Sequence, residues 1–248
     1  MEYIDDLQLK ELRIIQSSQG FKFGMDAVLL SDFAARGGRI DSEYCSLSAK
    51  AICDLGTGTG IIPLLLAGKT DCSNITGVEI QPDMADMASR SVELNGLSHR
   101  IRIVCRDLRD LRDLNQTQDI VTANPPYMKA GAGLSNANPS VEMARHEICG
   151  GLEDFVHTAA MLLKQGGSLY MVYRPDRLTD LIAAMRQFKI EPKVLRMVTP
   201  SAGKAPNILL VKGVCGGRPG NLTILPELVV YNADGTYTQE LLTIYNKQ

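Results

Sequence analysis

The chain has 248 residues, of which 45% are hydrophobic and 22% are charged, and its formal net charge is −2. These values are typical of a globular protein and give enough chain for one large α/β domain with extensions. Apolar runs such as residues 61–67 are far shorter than the roughly 20 residues of a membrane-spanning helix. The mixed-charge start lacks the pattern of a signal peptide, so we expect a cytoplasmic protein without membrane attachment.

Cysteine and histidine are used in ways that exclude several enzyme classes. The six cysteines form no CxxC pair, and three of them lie in apolar runs, where a thiol packs as a small hydrophobic group. The chain has only three histidines and no G-x-S-x-G motif. A structural zinc, a disulfide framework, a metal hydrolase and a serine hydrolase are therefore disfavoured, and we expect no bound metal.

Strand and helix patterns alternate after a short N-terminal region. Strands are predicted at residues 49–55, 75–80, 101–106, 120–123 and 168–173. Helices are predicted at residues 61–69, 84–95, 152–164 and 177–188, and Pro175 is a start signal for the last. Two later segments, 193–198 and 207–214, are predicted to form a hairpin-like pair that closes the sheet edge.

Repeated βαβ units predict an α/β fold with a doubly wound, mostly parallel sheet. Residues 222–245 contain an Asp234-Gly235 turn signal and are expected to pack on the domain as an appendage. No repeat or strong linker divides the chain. We therefore expect a single domain over residues 1–248, with an N-terminal extension at 1–45 and a C-terminal appendage at 219–248.

A glycine-rich loop follows the first predicted strand, where residues 54–60 read DLGTGTG. In open α/β sheets ligands bind at the carboxyl ends of strands, and glycines there permit a sharp turn and a close ligand approach. The spacing differs from the G-x-G-x-x-G of a pyrophosphate site, which argues against a dinucleotide. A purely structural glycine turn is the alternative.

Acidic residues stand where the next two predicted strands end. Glu79 lies in GVEI after the second strand, and Asp107 lies in CRDL after the third. The first carboxylate can accept hydrogen bonds from two ribose hydroxyls, and the second can accept one from an adenine amine. An acidic residue at a strand end is, taken alone, more often a solvated turn residue, so the binding interpretation depends on the combined spacing.

DLGTGTG, GVEI and CRDL together resemble the class I S-adenosylmethionine-dependent methyltransferases. The resemblance implies a Rossmann-like sheet of seven strands with the last strand antiparallel, and S-adenosylmethionine as cofactor, released as S-adenosylhomocysteine. The implied cofactor contacts are Asp54, Gly56, Thr57, Gly58 and Gly60 for the methionine part, Glu79 and Ile80 for the ribose, Asp107 and Leu108 for the adenine, and Asn124.

The fourth predicted strand is followed by Asn124, Pro125, Pro126 and Tyr127. An amino group conjugated to a ring or a carbonyl is a poor nucleophile because its lone pair is delocalised. If the Asn124 side-chain oxygen and the Pro125 carbonyl each accept a hydrogen bond from one of its two N–H groups, the nitrogen becomes more tetrahedral and its lone pair can reach a methyl donor. Tyr127 offers a face for a splayed-out base, and the prolines stiffen the turn. A structural Asn-Pro turn with a buried tyrosine is the alternative.

NPPY resembles the signature of methyltransferases that act on planar amino groups: adenine N6, cytosine N4, guanine N2 in ribosomal RNA, and the glutamine amide of release factors. Five segments narrow this choice, namely 14–33, ARHE at 144–147, 162–178, 191–200 and GKAPN at 203–207. They are similar to bacterial adenine-N6 methyltransferases whose characterised members modify the adenine beside the anticodon of a valine tRNA. The resemblance implies tRNA as the substrate, and no obligate protein partner is indicated.

Three other functions stay open at this point. Glutamine-amide methyltransferases usually carry a helical domain ahead of the catalytic one, whereas only about fifty residues precede Asp54 here. Guanine-N2 methylation of ribosomal RNA shares the same tetrapeptide. A module that binds S-adenosylmethionine or RNA without turnover is the alternative that is not an enzyme.

The N-terminal segment has two interpretations. The resemblance implies that Phe21, Phe23 and Asp26 close over the cofactor site, with Asp26 among the cofactor contacts. The aromatic residues are equally typical of core positions that introduce a first helix, and Asp26 is also a suitable cap for that helix.

Two more segments are candidates for substrate contact. The small-residue loop 129–140 is either a lid over the substrate or a passive connector, and Arg145 and His146 either meet RNA phosphate or flank a helix beside Glu147. Residues 186–218 hold seven basic residues against the single acid Glu191. If this basic stretch shares a face with the NPPY turn, it can grip a tRNA backbone; otherwise it is a solvated surface.

Overall fold

The computed structural model describes residues 1–18, 24–40, 42–126 and 150–246. The helices are α1 (Met25–Ala35), α2 (Ile61–Lys69), α3 (Pro82–Leu94), α4 (Leu152–Leu162), α5 (Leu178–Gln187) and α6 (Gln239–Ile244). The strands are β1 (Glu2–Asp6), β2 (Arg13–Ser17), β3 (Ala51–Leu55), β4 (Asn74–Glu79), β5 (Ile101–Cys105), β6 (Gln118–Ala123), β7 (Leu163–Tyr173), β8 (Ile190–Ser201), β9 (Ile208–Cys215), β10 (Thr223–Ile224) and β11 (Leu228–Tyr231). Within these ranges no helix is long and apolar enough to cross a bilayer.

The main sheet has nine strands, and its hydrogen-bonded order is β10-β8-β9-β7-β6-β3-β4-β5, with β11 also paired to β8. Strands β3 to β7 run parallel to one another, and β9 is antiparallel between β7 and β8. The predicted doubly wound, mostly parallel sheet is thus confirmed. The seven strands that the resemblance implies correspond to β3–β9, of which β9 is the antiparallel last strand, and β10 and β11 bring the count to nine.

The predicted late pair forms, but it does not close the sheet edge. Strands β8 and β9 are antiparallel partners, as expected. However, β10 and β11 pair with the outer side of β8, so the C-terminal appendage supplies the outermost strands. The sequence pattern missed both strands because β10 has only two residues, both exposed, and β11 has four.

Alternating side chains of the sheet feed two hydrophobic cores, one on each face. On β3, Ile52 packs in the core that includes α1, α2 and α3, whereas Cys53 and Leu55 pack in the core that includes α4 and α5. The predicted helix at 61–69 matches α2, and α3, α4 and α5 differ from their predicted limits by at most two residues at either end; the sequence pattern set no limits for α1 and missed α6. This two-sided packing leaves the ends of the strands, rather than the faces, for a binding site.

An N-terminal hairpin that the sequence pattern did not predict precedes α1. Strands β1 and β2 form a separate antiparallel pair, and β2 packs against α3. The backbone N–H of Ile15 donates to the Ser91 hydroxyl at 2.9 Å, and that of Arg13 donates to the Asn95 amide oxygen at 2.9 Å. The hairpin is therefore fixed by α3 and not by an apolar pattern of its own.

Candidate active site

The glycine loop turns sharply between β3 and α2. Gly56, Gly58 and Gly60 have positive φ values of 68°, 58° and 89°, a region that strongly favours glycine. The Thr57 N–H donates to the Val78 carbonyl at 2.9 Å, which ties the loop to β4. A Cβ placed on Gly58 meets nothing within 4 Å, so this part of the loop borders open space. The loop can therefore form the wall of a ligand cradle.

Asp54, the last residue but one of β3, is fully buried. Its Oδ1 accepts a hydrogen bond from the Thr122 hydroxyl at 2.6 Å. Its Oδ2 and the Thr57 hydroxyl have no hydrogen-bond partner among the described residues, although both atoms are buried. Burial raises the pKa of Asp54 to about 7, against the effects of the nearby Thr122 and Thr57 hydroxyls. A buried carboxylate with an unpartnered oxygen suits a cationic or hydrogen-bond-donating ligand.

Glu79 ends β4 and is held by backbone donors. Its Oε2 accepts from the Gly58 N–H at 2.9 Å, and its Oε1 accepts from the Gln81 N–H at 2.9 Å. Oε1 also accepts from Gln81 Nε2 at 3.5 Å. These bonds fix the carboxylate against the glycine loop, and Oε2 keeps a second lone pair with which to accept from a ribose hydroxyl. The next residue, Ile80, is half-buried.

Asp107, beyond β5, is partly exposed and engaged by Arg109. The Arg109 guanidinium donates to both carboxylate oxygens, with Nη2 to Oδ2 at 2.6 Å and Nε to Oδ1 at 2.9 Å. This pairing lowers the pKa of Asp107, so the group stays ionised and able to accept. Leu108 is buried, and its carbonyl accepts from the Thr158 hydroxyl at 3.2 Å.

Asn124 lies at the carboxyl end of β6, where its side-chain Nδ2 donates to Asp26 Oδ2 at 3.2 Å. A carboxylate only accepts hydrogen bonds, so the nitrogen is the end of the amide that faces Asp26, and the oxygen faces away. Asp26 lies in the first turn of α1, whose N-cap is Gly24, so the interpretation of Asp26 as the helix cap is wrong. Pro125 is buried and Pro126 is exposed.

The structure brings the predicted site residues together at one edge of the sheet. Because β3 to β6 are parallel, Asp54, Glu79, Asp107 and Asn124 all lie at or just beyond carboxyl ends of strands. Several residues for which the sequence predicts a role lie outside the described residues: Tyr127, Phe21, Phe23, loop 129–140, Arg145, His146 and Glu147.

Sequence reasoning missed three residues that hold the acidic groups, namely Thr122, Gln81 and Arg109. Gln81 and Arg109 each follow their carboxylate by two residues, a local signal that could have been found. Thr122 pairs with Asp54 across the β3–β6 register, which no local pattern reveals.

The basic stretch at 186–218 does not share a face with Asn124. Strand β8 runs parallel to β7, so Arg186 and Lys189, which precede it, lie at the amino edge of the sheet. Arg186 pairs with Glu191 at 2.9 Å, and the side chain of Arg196 is buried against Glu240. The stretch as a whole therefore does not meet the condition set for RNA contact beside Asn124, and Lys204, just beyond β8, is the member at the carboxyl edge.

Comparison with known proteins agrees with this geometry. Residues 52–133 match a family model described as a methyltransferase domain. A tRNA1(Val) (adenine(37)-N6)-methyltransferase of Porphyromonas gingivalis is 30% identical over 250 residues, which cover 97% of this chain and 93% of that protein.

Solved structures share the fold. A predicted O-methyltransferase from Agrobacterium tumefaciens, Atu636, has a TM-score of 0.69 at 24% identity and covers 90% of this chain and 96% of its own. M. jannaschii TYW2, solved in complex with AdoMet, has a TM-score of 0.56 at 13% identity, and the match covers 86% of this chain and 84% of TYW2. The fold is thus that of Rossmann-like class I methyltransferases.

The resemblance read from the sequence motifs is confirmed by the Porphyromonas relative, whose similarity extends over nearly the whole length of both proteins. The motif residues are therefore part of a full-length match and not a local coincidence. The chain belongs to the family of the tRNA1(Val) (adenine(37)-N6)-methyltransferases.

Proposed function

We propose that this protein transfers a methyl group from S-adenosylmethionine to the exocyclic N6 amine of an adenine in tRNA, beside the anticodon of a valine tRNA. The observation that carries the proposal is the 3.2 Å hydrogen bond from Asn124 to Asp26, next to the glycine loop. It orients the amide so that its oxygen, the acceptor that a planar amine needs, faces away from Asp26. The name of the Porphyromonas relative supports tRNA adenine as the substrate.

The residues of the glycine-loop edge fit S-adenosylmethionine. The cofactor supplies a methyl group that is already activated by a positively charged sulfur. Asp54 and Thr57 offer the buried, unpartnered oxygens for the cationic methionine part, beside Gly56, Gly58 and Gly60. Glu79, with Ile80 beside it, is placed for the ribose hydroxyls, and Asp107 with Leu108 for the adenine.

Asn124 and the Pro125 carbonyl would act on the substrate amine. Hydrogen bonds from the two N–H groups of the amine to these two acceptors draw the nitrogen toward a tetrahedral geometry and localise its lone pair. Because the acceptors are held in advance by Asp26 and by the buried proline, little reorganisation is needed at the moment of transfer. Tyr127 would stack on the flipped base.

The decisive experiment measures transfer of labelled methyl from S-adenosylmethionine to unmodified bulk tRNA, with ribosomal RNA and release factor in parallel, followed by nucleoside analysis. We expect N6-methyladenosine in tRNA. Label in ribosomal RNA or in release factor would agree with methylation of a planar amine but would contradict the assignment of tRNA as the substrate. No label despite cofactor binding would favour a binding module without turnover.

A variant pair separates chemistry from binding in the same assay. Asn124→Ala is expected to lower the rate of transfer at least about 100-fold, the usual effect of removing one preorganised polar contact, and to leave cofactor affinity nearly unchanged. Asn115→Ala, an exposed asparagine beyond β5, is the matched control and should retain full activity. Full activity of Asn124→Ala would overturn the assignment of Asn124.

A further inference from the structure

Three tyrosines of the C-terminal appendage form a stack, here called the tyrosine stack: Tyr231, Tyr237 and Tyr245. The rings of Tyr231 and Tyr237 are 5.2 Å apart at 25°, and those of Tyr237 and Tyr245 are 6.4 Å apart at 7°. Tyr231 is 38% exposed and Tyr237 is 40% exposed. Large aromatic side chains are usually buried, so a nearly parallel stack with two exposed members is an unusual surface.

One end of the tyrosine stack is anchored near the active site. Tyr245 packs on the same hydrophobic core as Met25, the first residue of α1, and α6 contacts α1. Burial, Tyr237 and the charge of Asp26, in that order, raise the pKa of Tyr245 to about 12. The Asp26 carboxylate that holds Asn124 is thus within electrostatic reach of the anchored ring.

The other end of the tyrosine stack lies at the carboxyl edge of the sheet. Tyr231 pairs with Ser201, the last residue of β8, and β8 runs parallel to β7. Tyr237 contacts the rings of both Tyr231 and Tyr245, so Tyr231 is the end member of the series, and its exposed ring is where the stack can be extended. Lys204 is exposed in the turn directly after Ser201, which places a cation at the same edge.

We propose that the outer face of Tyr231 is a stacking platform for an unpaired base of the RNA that carries the target adenine. The proposal rests on the proposed function. A flipped base leaves its loop neighbours unstacked, and an aromatic face accepts any base through its π surface. Stacking also suits a protein with a net charge of −2, which gains little from phosphate contacts over its surface as a whole.

The test compares Tyr231→Leu, which removes the ring and keeps an apolar side chain, with Tyr231→Phe, which keeps the ring. Steady-state methyl transfer to unmodified tRNA gives KM and kcat for each. We expect Tyr231→Leu to raise KM for tRNA about tenfold, within the range for loss of one base stack, with kcat and cofactor affinity unchanged. Tyr231→Phe should match the parent protein. Tyr3→Leu, in the N-terminal hairpin, is the matched control.

A direct readout is available because the chain has no tryptophan and its intrinsic emission comes from tyrosine. A short single-stranded oligoribonucleotide with 2-aminopurine is titrated, and its quenching reports stacking. Tyr231→Leu should weaken this quenching and Tyr231→Phe should preserve it. If thermal unfolding shows that Tyr231→Leu is not folded, Tyr237→Leu takes its place. This variant removes the ring that supports the platform, so weaker quenching is again expected.

Two results would overturn the platform while leaving the proposed function intact. The first is an unchanged KM for tRNA in Tyr231→Leu alongside an active parent. The second is a concentration-dependent dimer that Tyr231→Leu abolishes, since the exposed rings would then belong to an interface between two copies. A parent protein that methylates no tRNA would overturn the proposed function and the platform together, which separates the two failures.

Discussion

At the scale of single residues, Asp26 contacts the predicted amine acceptor. Its carboxylate accepts a hydrogen bond from Asn124, so we propose that it positions Asn124, whereas the family resemblance implies that it contacts the cofactor. A Cβ on the preceding Gly24 would lie 2.6 Å from Asp26 Oδ1, so this glycine allows the carboxylate to take that place.

Substitution of Asp26 tests this role. Asp26→Asn keeps the shape and loses the charged acceptor, and Asp26→Ala loses both. We expect kcat for methyl transfer to fall in the order parent, Asp26→Asn, Asp26→Ala, by about tenfold or more for Asp26→Ala, with the dissociation constant for S-adenosylmethionine unchanged. Weaker cofactor binding at an unchanged kcat would instead return Asp26 to the cofactor contacts.

The raised pKa of Asp54 predicts a dependence of stability on pH. Burial raises its pKa from the ordinary value of 3.8 to about 7 in the folded protein, so the folded state holds an extra proton between these pH values. The contribution of Asp54 to the free energy of unfolding is therefore fully present below about pH 4 and is lost as pH rises to 7, by up to about 4 kcal/mol. Urea unfolding of the cofactor-free protein at several pH values measures it.

Asp54→Asn is the control for that measurement, because an amide does not titrate and the slope between pH 4 and 7 should flatten. A cationic ligand group favours the ionised carboxylate, so affinity for S-adenosylmethionine should rise as pH approaches 7 in the parent protein only. Equal slopes in the two proteins would show that another group titrates.

The sequence predicted the residues that lie within contiguous motifs and missed the contacts between them. Glu79, Asp107 and Asn124 each follow a strand that has its own apolar pattern, so their position at one edge follows from a parallel sheet. The bond between Asp26 and Asn124 spans 98 positions, and it depends on where α1 begins against β6. Nothing local specifies that distance.

At the scale of elements, the same distinction explains which strands were predicted. Strands β3 and β6 are buried between two helical layers and read as apolar runs. Strand β1 alternates between exposed and half-buried residues and reads EYIDD, which has no apolar face. It is specified by its partner β2 and by α3, so only the tertiary structure shows it.

Helices α1, α2 and α6 are joined by one buried cation, Lys69. Its Nζ donates to Asp32 Oδ1 at 3.1 Å, to the Tyr44 hydroxyl at 2.9 Å and to the Ile244 carbonyl at 2.8 Å. Lys69→Met keeps the length and leaves these buried acceptors short of a donor, so we expect the free energy of unfolding to fall by about 3 kcal/mol. Lys10→Met, at an exposed lysine, should change it by less than about 0.5 kcal/mol in the same urea titration.

A stable Lys69→Met protein would mean that the other contacts of the appendage suffice, namely Leu241 and Ile244 in the core, the pairing of β11 with β8 and the Arg196–Glu240 ion pair. The tyrosine stack depends on this attachment, since Tyr245 directly follows α6. Loss of Lys69 should therefore also raise KM for tRNA, in proportion to the fraction of protein whose appendage is displaced.

At the scale of the whole molecule, charge is arranged so that the amino edge of the sheet carries most of the basic stretch and the carboxyl edge carries the site. Arg186 and Arg196 are paired with acids, and Lys193 donates to the carbonyls of Arg218 and Gly220. These cations are largely committed to the fold. Within this basic stretch, Lys204 is therefore the cation that a tRNA bound at the carboxyl edge would meet.

This arrangement predicts which cations set the salt dependence of tRNA binding. Each phosphate contact contributes about −0.7 to −0.9 to the slope of log K against log salt concentration. Lys204→Gln, at the carboxyl edge, should make the slope shallower by about one, and Lys189→Gln, at the amino edge, should leave it unchanged. The affinity for labelled tRNA, measured at about five KCl concentrations between 50 and 300 mM, gives the slope for each protein. A steep slope that Lys189→Gln flattens would place the RNA on the amino edge, away from Asn124.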